Sequence, residues 1–153
     1  MLNVGDQAPA FTLQNEAGED VTLAAFHGKP VILYWYPRDD TPGCTTEACG
    51  FRDAYREFAQ AGAVVLGVST DDVQSHAKFK GKYNLPFTLL SDPDHQVAQQ
   101  YGVWGSKTFM GRESEGIHRV TYLIDEHGLV KQVWPKVKPE GHADEILAVL
   151  QNR

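Results

Sequence analysis

Cysteine is scarce in this chain: two in 153 residues, Cys44 and Cys49. That excludes a disulfide-stapled scaffold. Two thiols five positions apart suggest redox chemistry or metal binding rather than covalent stability. Long apolar runs are lacking as well. The longest uninterrupted one, Val31 to Tyr36, is far short of the roughly 18 residues that a membrane span needs. Met1-Leu2-Asn3-Val4-Gly5-Asp6 carries neither a basic segment nor a following apolar stretch of the secretory kind, so the sequence predicts a cytoplasmic protein. Positive charge is in deficit: 14 Lys and Arg against 20 Asp and Glu, a formal net charge of −6. Phosphate backbones and anionic lipid repel such a chain, which argues against nucleic acid or a membrane surface as partner. Repeats, low-complexity tracts and an interdomain linker are missing too. With 42% apolar and 22% charged residues the composition is ordinary for a globular protein, and the length suits one domain over residues 1–153.

The apolar pattern resolves into elements. Phe11-Thr12-Leu13 and Val21-Thr22-Leu23 alternate apolar and polar around Asn15-Glu16-Ala17-Gly18, the pattern of a β-hairpin. Pro30 opens Val31 to Tyr36, apolar on both faces and therefore expected as a buried central strand. A turn-rich loop from Pro37 to Gly43 leads into a helix expected to reach about Gln60. On a wheel of about 100° per residue, Ala48, Phe51, Tyr55 and Phe58 fall within about 40° of Cys44, while Arg52, Asp53, Arg56 and Glu57 lie opposite or on the flank. There follow a strand over 63–68, a helix over 73–83, a short strand at Thr88-Leu89-Leu90 and a helix from Asp92-Pro93 to Tyr101. Gly102 to Gly116 reads as a long loop with Val103, Trp104 and Phe109 as interior anchors. His118 to Ile124 and Leu129 to Trp134 read as a hairpin, and Ala143, Ile146, Leu147 and Leu150 stripe a final helix. The βαβ half demands parallel strands with a right-handed crossover, and the later ββα half adds an antiparallel hairpin. The expected fold is α/β and thioredoxin-like: a mixed central sheet flanked by helices, with an N-terminal β-hairpin.

Chemistry concentrates between Tyr36 and Cys49. Thr41 followed by Pro42 is a helix-start signal, an N-cap hydroxyl and then proline at the first position. Cys44 then lies in the first turn, where free N–H groups and the macrodipole favour an anion. A lone cysteine on an apolar face is often inert packing. The second cysteine and the Pro- and Gly-rich strand-to-helix loop favour a reactive one.

Pro-x-x-x-Thr-x-x-Cys, here Pro37, Thr41 and Cys44, resembles the active-site signature of peroxiredoxins. The longer string Tyr-Pro-x-x-x-Thr-Pro-Gly-Cys-Thr-x-Glu-x-Cys resembles one subfamily, the bacterioferritin comigratory proteins, also called peroxiredoxin Q. The likeness covers nearly the whole chain. Gly5-Asp6-x-Ala8-Pro9-x-Phe11 resembles the family's N-terminal hairpin, and Tyr101-Gly102-Val103-Trp104-Gly105 and Gly116-Ile117-x-Arg119-x-Thr121-Tyr122-x-Ile124-Asp125 resemble its later blocks. The resemblance implies a thiol peroxidase without cofactor or metal, acting on hydrogen peroxide and organic hydroperoxides. It puts Cys44 at the peroxidatic position and Cys49 at the resolving one. Thr41 and Arg119 fall on the polar residues that complete the site, and Pro37 on the proline that shields it. It further implies an intramolecular Cys44–Cys49 disulfide, recycled by thioredoxin or a similar dithiol protein, in a monomer. Trp35 departs from the Phe or Tyr more usual there, which is expected to alter packing under the loop.

Ionising an ordinary thiol of pKa about 8.5 completely at a pH of about 7.4 multiplies its reactive fraction only roughly 13-fold, and the accompanying loss of nucleophilicity offsets part of that. Positioning of the peroxide and stabilisation of the departing oxygen must supply the rest. Glu47 suits either of two roles, orienting Arg119 or simply favouring the helix dipole. The six histidines (27, 76, 95, 118, 127 and 142) are scattered and read as surface residues. A competing reading is a thioredoxin-fold copper module using the two thiols and a histidine. It would leave Thr41 and Arg119 without a role. A protein disulfide oxidoreductase is a weaker alternative, since Cys-x-x-Cys is absent.

Overall fold

The computed structural model describes residues 1–152, the side chain of Phe109 excepted. The N-terminal hairpin is formed by β1 (Thr12–Asn15) and β2 (Asp20–Thr22). Asn15 closes its turn, with Oδ1 accepting the Ala17 and Glu19 N–H groups at 2.9 and 3.0 Å. The apolar run becomes β3 (Val31–Trp35), buried at every position. The first long helix is broken in two, α1 (Pro42–Asp53) and α2 (Tyr55–Gln60). Ala54 leaves helical geometry at φ −98°, ψ 6°. Its carbonyl accepts both Glu57 and Phe58 N–H groups, so the chain restarts at once and Phe58 stays on the buried stripe.

β4 (Val64–Ser69), α3 (Val73–Tyr83) and β5 (Thr88–Ser91) stand where the pattern put them. α4 is shorter than expected, only Gln96–Gln100. His95 takes a left-handed conformation at φ 51°, so no helix can pass through it. Asp92 instead caps from outside, accepting the Ala98 N–H at 2.8 Å.

The segment expected as a loop is a second hairpin, β6 (Trp104–Phe109) with β7 (Arg112–Ile117), forming a sheet of its own. Most of its residues face solvent, so no apolar alternation marks it. Its turn, Met110-Gly111, has positive φ at both positions (53° and 79°), as a two-residue hairpin requires. Of the expected anchors, Val103 is buried, Trp104 is partly exposed, and the Phe109 side chain lies outside the described residues. β8 (Val120–Ile124), β9 (Val130–Trp134) and α5 (His142–Gln151) complete the chain. No helix among the described residues is long and apolar enough to cross a membrane.

The main sheet runs β2-β1-β5-β4-β3-β8-β9. β3, β4 and β5 are mutually parallel, and the outer pairs are antiparallel. Alternate residues of β3 feed two cores. Ile32, Tyr34 and the following Tyr36 pack with Phe51, Phe58, Phe79 and Ile146 of α1, α2, α3 and α5. Leu33 and Trp35 pack with Leu66, Tyr101, Val103 and Tyr122 on the other face. Trp35 therefore leans on Tyr101, ring centroids 5.5 Å apart, in the core that does not contain Cys44. Its departure from the family pattern alters the packing of that far face and not the packing beneath the Cys44 loop.

Gly67 of β4 lies opposite Tyr34 of β3 in register, and a Cβ there would sit 2.7 Å from the Tyr34 ring. The Tyr34 ring is buried and stacked on Tyr36 and Phe51, so it cannot swing aside without disturbing that core. Gly67→Ala is expected to destabilise the fold by about 1–3 kcal/mol, read as a lower urea midpoint at unchanged slope.

Candidate active site

The loop between β3 and α1 is pinned before the helix begins. The Tyr36 N–H donates to the Val68 carbonyl at 3.1 Å, and the Tyr36 hydroxyl donates to Asp39 Oδ1 at 2.6 Å. Asp40 adopts φ 56° and accepts Lys82 Nζ and the Tyr83 hydroxyl, each at 2.7 Å. Pro37 opens the loop and is half-buried. Thr41 is the N-cap residue and Pro42 the first helical one, as the sequence predicts. The Thr41 hydroxyl, however, makes no cap bond. It donates to the Arg38 carbonyl at 2.9 Å, while the Thr41 carbonyl accepts the Thr45 N–H at 2.8 Å. Its hydroxyl lone pairs are thereby left to accept from another donor.

Cys44 is 1% exposed in the first turn of α1, on the core-facing stripe with Ala48 and Phe51. Its Sγ accepts a hydrogen bond from Arg119 Nη2 at 3.4 Å. The same guanidinium donates through Nη1 to Glu47 Oε1 at 2.7 Å. Glu47, three residues beyond Cys44 and buried, thus orients Arg119 in addition to sitting at the helix start. Arg119 comes from the two-residue link between β7 and β8, not from within a strand. Its neighbour His118 is exposed and turned toward Gly105. Gly43 eases the approach, because a Cβ there would sit 3.2 Å from Arg119 Nη2 and push the guanidinium back by a few tenths of an ångström.

Burial pushes the Glu47 carboxyl up to about 7 against the pull of the Arg119 guanidinium. Glu47 Oε2 is buried without a hydrogen-bond partner, which is where its proton would sit. Arg119 is held above its ordinary value, since the Glu47 and Cys44 charges and hydrogen bonds outweigh burial. A second cation bears on the sulfur. Lys107 of β6, half-buried, is held below its ordinary value by burial and by the Arg119 charge, with Cys44 pulling the other way. Nothing in the spacing of Lys107 marks it, because the ribbon that carries it reads as loop.

Cys49 is half-buried further along α1, and both cysteines are free thiols. Two histidines read as surface residues are buried instead. His142 at the start of α5 bonds Thr121 Oγ1 at 2.8 Å, and His76 of α3 bonds Asp39. Among the described residues, one group of three metal-type ligands exists, Asp39, Asp71 and His76, and it includes neither cysteine.

A thiol in the first turn of a helix, facing a carboxylate-held guanidinium on a thioredoxin-type sheet, defines a thiol-dependent peroxidase of the peroxiredoxin class. The sequence pattern of the AhpC/TSA family matches residues 4–133. The chain is 55% identical over 149 residues to the putative peroxiredoxin bcp of Coxiella burnetii, covering 97% of this chain and 99% of that one. It is 46% identical over 151 residues to peroxiredoxin Bcp of Bacillus subtilis, covering 99% and 96%. Among solved structures, a cysteine-to-serine variant of Xylella fastidiosa PrxQ superposes with a TM-score of 0.94 at 35% identity, covering 99% and 97%. The bacterioferritin comigratory protein of Xanthomonas campestris, solved as trapped intermediate and ligand complexes bearing on its alkyl peroxide reduction, gives 0.88 at 42% identity, covering 93% and 90%. The chain belongs to the AhpC/TSA family and, within it, to the bacterioferritin comigratory protein or peroxiredoxin Q group.

The folded state binds the Glu47 proton more tightly than the unfolded chain does. Stability contributed at this site therefore declines as pH rises from about 4.5 to about 7. Glu47→Gln should flatten that part of the urea-midpoint profile, and on the alkaline side of about 7, where Glu47 is ionised, it should lower the peroxide rate constant about tenfold because Arg119 loses its charged anchor. An unchanged profile would show that Glu47 does not hold its proton as described.

Proposed function

We propose that Cys44 reduces hydroperoxides, and that the observation carrying this reading is its buried Sγ held against Arg119 Nη2 at 3.4 Å in the first turn of α1. The Cys44 thiolate attacks the terminal oxygen of the peroxide. The S–O bond forms as the O–O bond breaks, the sulfur is oxidised to sulfenic acid, and the alcohol or water leaves after taking a proton. The Thr41 hydroxyl, donating to the Arg38 carbonyl, accepts the peroxide O–H and orients it. Arg119 stabilises both the attacking sulfur and the departing oxygen, a task for a permanently charged planar donor set. Pro37 shields the loop from water. The Cys49 thiol then displaces water from the sulfenic acid, giving a Cys44–Cys49 disulfide. A dithiol protein such as thioredoxin returns both sulfurs to thiols. The whole chain, residues 1–153, acts as one domain and as a monomer in a reducing, cytoplasmic setting.

The intact helix forbids the second step. Five helical residues separate Cα atoms by roughly 8–9 Å, whereas a disulfide takes about 4.4–6.8 Å with the Cβ atoms facing. Cys44 points into the core and Cys49 lies off that stripe. The first part of α1, residues 43–50, must therefore unwind between the two chemical steps, and Gly43 and Gly50 weaken helix propensity there. The delay leaves the sulfenic acid open to a second peroxide, so some overoxidation at high peroxide is expected.

Cys44→Ser should abolish peroxide turnover and keep the fold, and retention of most turnover would remove the assignment. Thr41→Ser should keep activity while Thr41→Val loses at least tenfold. Because the hydroxyl makes no cap bond, the loss in Thr41→Val should appear in the rate far more than in the melting temperature. Amide exchange should show residues 43–50 protected in the reduced protein and unprotected once mass analysis shows the Cys44–Cys49 bond. Equal protection in both states would refute the unwinding step.

A further inference from the structure

Asp39 belongs to the loop that carries Thr41, yet it is only 8% exposed. Its carboxylate is saturated with donors. Oδ1 accepts the Tyr36 hydroxyl at 2.6 Å, and Oδ2 accepts the Ser75 hydroxyl at 2.8 Å and faces His76 Nδ1 at 2.7 Å. The Asp39 N–H donates to Asp71 Oδ2 at 2.8 Å, an oxygen that also accepts the Ser69 hydroxyl at 2.6 Å. His76 is fully buried, and its other nitrogen, Nε2, lies 2.8 Å from the Leu90 carbonyl oxygen. A carbonyl can only accept, so Nε2 carries a hydrogen. Nδ1 faces Asp39 Oδ2 at 2.7 Å, and with a hydrogen on Nδ1 as well the ring is an imidazolium that donates at both ends.

That ring joins three elements: α3, which carries it, β5 through Leu90, and the active-site loop through Asp39. The atoms that could have formed a cation site are spent on one another, with the imidazolium in the cation's place. We propose that His76 is a positioning residue for the peroxide reaction: its imidazolium, held between the Leu90 carbonyl and Asp39, fixes the 37–43 loop in the form that presents Thr41 and Cys44 to peroxide, and loss of its proton releases that loop. The inference rests on Cys44 being the peroxide-reacting thiol.

The surroundings of the ring set the direction of the effect. Asp39 faces it from the loop, Asp71 from the turn after β4, and the Tyr36 ring lies 6.4 Å away at the end of β3. On its own helix, Asp72 is turned to cap the Ser75 N–H, and Lys80 is engaged by Glu16 and the Phe87 carbonyl. Burial works against the charge. The Asp39 hydrogen bond and charge, the Leu90 carbonyl and Asp71 outweigh it, so His76 titrates above its ordinary 6.5. A histidine raised in the folded state contributes its full stabilisation below 6.5 and loses it as pH rises through the folded value. The loop is therefore tight while His76 keeps its proton and loosens as pH rises through the folded-state value, which lies above 6.5. Loosening slows the peroxide step, which needs the loop in place. It does not slow disulfide closure, which needs the start of α1 to come away.

Nitrogen NMR of the ring-labelled, reduced protein tests the proposal without reference to turnover. Both His76 nitrogens should be protonated at pH 6, and their titration should be matched by a loss of at least tenfold in the protection factors of the Asp39 and Thr45 amides, after correction for intrinsic exchange. His76→Asn keeps a neutral donor but has no proton to lose. Its second-order rate with hydrogen peroxide should fall about tenfold at pH 6, its closure of the disulfide should not slow, and the protection factors should no longer vary with pH in that window. A neutral ring at pH 6, or Asp39 and Thr45 protection unchanged through the His76 titration, would overturn the proposal even if the variant does not fold. Failure of the Cys44 assignment would show separately, as turnover in Cys44→Ser with these ring and amide results unaltered.

Discussion

The Arg119 guanidinium, shared between a buried sulfur and a buried carboxylate, is the contact on which the site depends. It joins residues 75 positions apart, and the sheet makes that contact possible. Val120 pairs with Trp35 in the β3–β8 ladder, so the residue before Val120 emerges beside the residues that follow Trp35. A one-residue slip would turn every side chain of β8 to the wrong core, and both faces of β8 are buried. The register that the cores demand is thus the same register that delivers Arg119 to the start of α1.

Charge burial around this contact carries a cost that the fold distributes. Glu47 has one oxygen satisfied by Arg119 and one left bare, which lifts its titration toward neutrality. Asp39 has both oxygens satisfied and a buried partner in His76. Two buried acids within one short loop and helix therefore have different characters. The first suits a group whose partner must also reach the sulfur, and the second suits a group whose task is to stay where it is.

The sheet, the long helices and the stripe that buries Cys44 were legible because apolar spacing records burial directly. The β6–β7 ribbon was not, since about half of its residues are exposed and its partly buried positions are filled by Gly and Lys as well as apolar residues, so no apolar alternation marks it, and Met110-Gly111 is a weak turn signal. The break at Ala54 leaves the stripe intact, so the helix read as continuous. Within the site, the motif placed Thr41 and Cys44 at a helix start, and the fold does the same, but it sends the Thr41 hydroxyl to Arg38 and not to the helix. His76 was invisible for a different reason. Its partners, Asp39, Asp71 and Leu90, come from three separate stretches of chain, and no spacing rule joins them before the sheet is assembled.

The non-helical residue at Ala54 bears on how much of the molecule has to move. Helical hydrogen bonding is cooperative, so fraying that starts at one end tends to run the length of an uninterrupted helix. Here the run stops at a residue that already lies outside helical geometry. α2 keeps its own anchor, with the Ala54 carbonyl bonded forward to Glu57 and Phe58 and the Phe58 ring sealed in the core. The break acts as a bulkhead. It confines melting to a small cooperative unit of the native state, so α1 can open while most of the core remains closed to water.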